Sequence, residues 1–70
     1  MNNTNKEVNR SARVVRAGDK VQHLGAWFLV TDASTHAELG GRRVTTLELE
    51  GYGTVEMPAI NTVRAICQDA

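Results

Sequence analysis

The sequence predicts an all-β domain of short antiparallel strands, and three observations carry that expectation. Apolar runs rich in β-branched residues recur along the chain, each bounded by a glycine-containing break. Two of the runs alternate apolar with polar residues at the two-residue period of a strand. Helical spacing of aliphatic residues occurs only before Gly18.

The elements follow in order. Residues 1–11 hold asparagines, threonine and charges with Val8 as the sole aliphatic after Met1, a composition too polar to repay its ordering entropy, and read as a flexible basic tail. A helix competes for this segment: Thr4 and Glu7 form a capping-box pattern, with Val8, Ala12 and Val15 at helical spacing. The Val14-Val15 pair opposes it, because β-branched side chains are stiff on a helix. Residues 12–67 form the folded domain and 68–70 its C-terminal end. Ala12–Arg16 leads through the Ala17-Gly18-Asp19 turn into Lys20–His23, and Leu24-Gly25 breaks the chain before Ala26–Ala33. A polar loop, Ser34–Gly41, precedes Arg43–Glu50. Gly51-Tyr52-Gly53 turns into Thr54–Met57, which Pro58 stops for want of an amide donor. Asn61 turns into a last run, Thr62–Cys67.

Alternation assigns the faces. Leu47 and Leu49 point inward while Thr46, Glu48 and Glu50 face water, and Val55 and Met57 alternate with Thr54 and Glu56 in the same way. Trp27-Phe28-Leu29-Val30 is apolar on both faces, so that strand is covered twice or leaves one face sticky. At least one of Trp27 and Phe28 fills the core, which Val14, Val21 and Val63 complete.

A chain of 70 residues supports one thin core, which makes self-association as a homo-oligomer attractive. Cys67 is the only cysteine, so neither an intramolecular disulfide nor a multi-thiolate metal site is available, and a reducing cytosol suits the chain. The first residues are polar, unlike a signal peptide, and no run is long and apolar enough for a membrane span, which predicts a soluble cytoplasmic protein. The formal net charge is zero, but basic residues crowd the segment up to Lys20 and acidic ones the remainder, a split that either steers a polyanion to one end or marks a solvated tail whose charges keep it soluble.

Arg16-Ala17-Gly18-Asp19-Lys20-Val21, with the later Gly25-Ala26-Trp27 and Val30, resembles the opening of SH3-like small barrels of the KOW and Tudor kind. There a Gly-Asp pair turns the chain and a Gly-x-Trp opens the next strand. The resemblance covers roughly Arg13 to Ile66 and implies a five-stranded barrel. It departs from KOW in Phe28–Ala33, where that motif's glycines are unmatched, so RNA or ribosome binding is not implied. The sequence also resembles short uncharacterised proteins of actinobacteria and their phages, which implies no function.

Enzymatic chemistry fails on supply. His23 and His36 are the only imidazoles, His36 with Glu38 offers two ligands where a metal needs three or four, and Cys67 has no neighbouring base. The chain is therefore expected to be a non-enzymatic binding module with no cofactor and no metal. Gly40-Gly41-Arg42-Arg43 lacks phosphate-loop spacing, yet its arginine pair can fork onto a phosphate or carboxylate. Candidate contacts to phosphate or an acidic partner are Arg10, Arg13, Arg16, Lys20, Arg42 and Arg43. Candidate partner-facing side chains are Trp27, Leu29 and Tyr52, the last either stacking on a partner or packing across its own hairpin. The charge balance and few aromatics favour a protein-binding adaptor, such as a phage- or plasmid-type modulator of a host complex. A nucleic-acid-binding accessory factor and a structural subunit of a larger assembly are the alternatives.

Overall fold

The structure, a computed structural model, describes residues 6–67. Six strands form: β1 (Glu7–Ser11), β2 (Lys20–His23), β3 (Ala26–Ala37), β4 (Arg43–Leu49), β5 (Gly53–Pro58) and β6 (Thr62–Ile66), with a 3-10 turn at Ala12–Val14. They make one antiparallel sheet in the order β1-β6-β2-β3-β4-β5. The all-β class stands.

Three expectations about its layout are corrected. The tail becomes a strand from Glu7 onward, because each of its residues finds a partner on β6, from Glu7 opposite Ile66 to Ser11 opposite Thr62. The Arg64 Nε–H donates to Glu7 Oε1 at 2.9 Å across the same pair of strands. No helix forms there; the Thr4 cap signal and residues 1–5 and 68–70 lie outside the described residues. The run Ala12–Arg16 is not a strand: it curls into the 3-10 turn, which leaves Val14 exposed and sends Val15 into the core in its place. That curl also explains why the sheet is not closed into a five-stranded barrel. The chain leaving β1 does not run on beside β5 as a strand. It is tied instead to the β5–β6 connection, where the Ala12 N–H donates to Asn61 O and the Arg13 N–H to Ala59 O.

The third correction concerns the polar loop Ser34–Gly41. β3 continues to Ala37, because Ser34, Thr35 and His36 pair with Thr46, Thr45 and Val44. The hydroxyls of Thr35 and Thr45 lie 2.8 Å apart in a cross-strand hydrogen bond, which satisfies the nearly inaccessible Thr45. The register shifts between Val30 and Asp32, a bulge that bends this twelve-residue strand so that it serves both halves of the sheet.

Burial follows the alternation. Val15, Val21, Val30, Leu47, Leu49 and Ala65 form the core, with Phe28, Ala33, Val55, Met57 and Val63 packed against it. The cross-strand partners Val21 and Phe28 share the inner face, which places Gln22, Trp27, Lys20 and Leu29 on the outer one. Phe28 is thus the ring that joins the core, and Trp27 lies half-buried on the outer face beside Leu29. Proline at the end of β5 fits an edge strand, whose outward amide has no ladder partner to lose.

Candidate functional site

The β2–β3 hairpin closes through two residues, since His23 and Ala26 are paired. Both loop residues, Leu24 (φ 54°) and Gly25 (φ 83°), have positive φ, the pattern of a type I′ turn that suits asparagine and glycine. Leucine pays steric strain there of about 1–2 kcal/mol. Its side chain recovers little by burial, being 80% exposed. Among the described residues Leu24 is the only non-glycine residue with positive φ.

Leu24 stands at one end of a cleft of about 390 Å³. Half-buried Val55, Met57 and Val63 line it beside polar side chains such as Gln22, Glu56 and Arg64, while Val21, Leu47 and Leu49 contribute almost no accessible surface. This cleft forms a seam between β5 and the β2–β6 pair, which are not hydrogen-bonded neighbours in the sheet. At the same end of the sheet three rings gather: Tyr52 sits edge-on to His23 at 4.8 Å and tilted against Phe28 at 5.3 Å. Tyr52 thus packs across to β2 and β3, and it keeps 48% of its surface open.

A second concavity, of about 610 Å³, lies where the 3-10 turn, the β3–β4 loop and the β5–β6 connection meet. Arg13, Arg42 and Arg43 line it, with Pro58, Ala59 and Ile60 as the apolar part. The main chain fixes this meeting: Ala59 accepts from the Arg13 N–H at 3.1 Å and donates to Arg43 O at 3.0 Å. Among the described residues, none of the three guanidinium groups forms an ion pair or side-chain hydrogen bond. Ile60 is 82% exposed.

The sequence candidates therefore divide. Arg13, Arg42 and Arg43 come together, although the first two are 29 positions apart in the chain. Arg10 is half-buried on β1 opposite Val63. Arg16 belongs to the turn before β2, where its N–H donates to Asp19 Oδ2 at 3.0 Å. Lys20 lies between Leu29 and Ile66 on the outer face. None of these last three lines the arginine pocket. His36 and Glu38 approach to 3.8 Å at the exposed end of β3. Among the described residues no three His, Cys, Asp or Glu side chains group as metal ligands. Leu24 and Ile60 were not legible as site residues, although a leucine before glycine at a two-residue break was a usable signal.

Together these features define a small, open, antiparallel β domain with a seam of mixed polarity at Leu24 and an arginine-lined pocket. No protein-family model, curated protein or solved structure matches the chain. No helix among the described residues is long and apolar enough to cross a membrane.

Proposed function

We propose that the chain is a non-enzymatic protein-binding module of the cytoplasm, and that its partner docks on the seam at Leu24. Leu24 itself carries the reading. Strain at a backbone position points to function when folding gains nothing from the residue that bears it, and an exposed leucine in a turn built for asparagine meets that description. The adjacent seam adds the half-buried Val55, Met57 and Val63 for an incoming hydrophobic residue to cover, and Tyr52 supplies a ring whose exposed half can join the contact. The SH3-like resemblance stays part of the proposal. It is supported by the run of β2 to β5 with β6 returning to pair with β2, which leaves β1 as an added edge.

The test compares wild type with Leu24→Asn as baits in nuclease-treated extract of the native host. A protein that wild type retains and the folded variant loses supports the reading. Identical captured proteins, or capture that disappears with nuclease, would overturn it.

A further inference from the structure

We infer that the pocket lined by Arg13, Arg42 and Arg43 is a binding site for a phosphate monoester carried on an apolar body. It shares no lining residue with the seam at Leu24 and does not depend on that reading.

Arg13, Arg42 and Arg43 bring three like charges to the lining of one concavity, and among the described residues none of them is ion-paired to a carboxylate. A bound anion offsets that concentration of positive charge. Guanidinium is the group best matched to planar and tetrahedral oxyanions, through forked hydrogen bonds. A monoester fits better than a single carboxylate, since it brings nearly two negative charges and three acceptor oxygens at neutral pH.

The apolar part argues for what the phosphate is attached to. Pro58, Ala59 and the exposed Ile60 offer a carbon surface beside the charges, and a pocket of about 610 Å³ is within the range of small-molecule sites. A polynucleotide is the less favoured ligand. It needs a basic track rather than one pocket, and Arg10, Arg16 and Lys20 stand outside this one.

The experiment titrates the full chain with phenyl phosphate, inorganic phosphate, benzoate and a single-stranded DNA oligonucleotide, following backbone amide shifts by NMR. Phenyl phosphate should bind saturably, shifting residues 13, 42, 43, 59 and 60, and should bind several-fold more tightly than either inorganic phosphate or benzoate. Arg42→Gln and Arg43→Gln should each weaken it about tenfold, the scale of a charged hydrogen bond. Ile60→Ala should remove the advantage of phenyl phosphate over inorganic phosphate while leaving the latter unchanged, a readout that misfolding could not imitate. The inference is overturned if binding does not saturate, if the arginine variants bind as well as wild type, if benzoate matches phenyl phosphate, or if the oligonucleotide displaces phenyl phosphate with a steep salt dependence.

Discussion

Replacing Leu24 by asparagine should make this protein more stable, although it removes a large aliphatic side chain. With φ at 54° the leucine occupies the left-handed region, at a cost of about 1–2 kcal/mol that asparagine largely avoids. The opposing term is small. Fully burying a leucine is worth about 1.5–3 kcal/mol, and with 80% of Leu24 exposed only about a fifth of that, roughly 0.3–0.6 kcal/mol, is at stake. The net gain is on the order of 1 kcal/mol, which in a domain of this size raises the melting temperature by about 4–8 °C. Thermal unfolding followed by far-UV circular dichroism measures it directly. Gly25→Ala is the matched control: a Cβ there meets no atom within 4 Å, so its destabilisation reports backbone strain alone. A lower melting temperature for Leu24→Asn would mean that the leucine is held by packing, and the argument from strain to binding would lose its premise.

Other outcomes follow from the same geometry. Leu47→Ala should cost about 2–5 kcal/mol, because Leu47 is completely buried, whereas Glu48→Ala should be nearly silent in urea denaturation; equal effects would put the register wrong. Deleting residues 1–11 should destabilise the domain, since β1 covers Ala65 through Val8, and an unchanged midpoint would return that segment to the status of a tail. Arg64→Ala should cost at most about 1 kcal/mol and the loss should shrink in high salt, because both partners of the Arg64–Glu7 bridge are about half exposed. Thr45→Val should cost about 0.5–1.5 kcal/mol through the lost bond to Thr35, against a smaller change for the exposed Thr54→Val.

The parts of the fold that were legible in sequence are those where side-chain pattern and burial coincide. β4 and β5 declare themselves because an apolar residue at every second position needs one dry face, and Leu47, Leu49 and Val55 take it. β1 and the far half of β3 were illegible for one shared reason. Their residues, such as Asn9, Arg10, Ser34 and Thr35, carry little apolar pattern and are strands because a neighbour offers a free edge. Tertiary context decides strand formation more than intrinsic preference does. The Arg42-Arg43 pair was readable as a charged junction, but Arg13 joins it only through the fold. Leu24 was read as punctuation, because its meaning lies in the sign of a dihedral angle.

The stitching of Ala59 to Arg13 on one side and Arg43 on the other bears on how this protein can change over generations. Both links are made by peptide groups, which every residue except proline supplies in full, so the frame around the pocket survives replacement of any side chain that projects from it. Drift at positions 13, 42, 43 and 60 then alters charge and contour on a constant chassis. Substitutions at these four exposed positions change what the pocket presents while leaving its main-chain links in place.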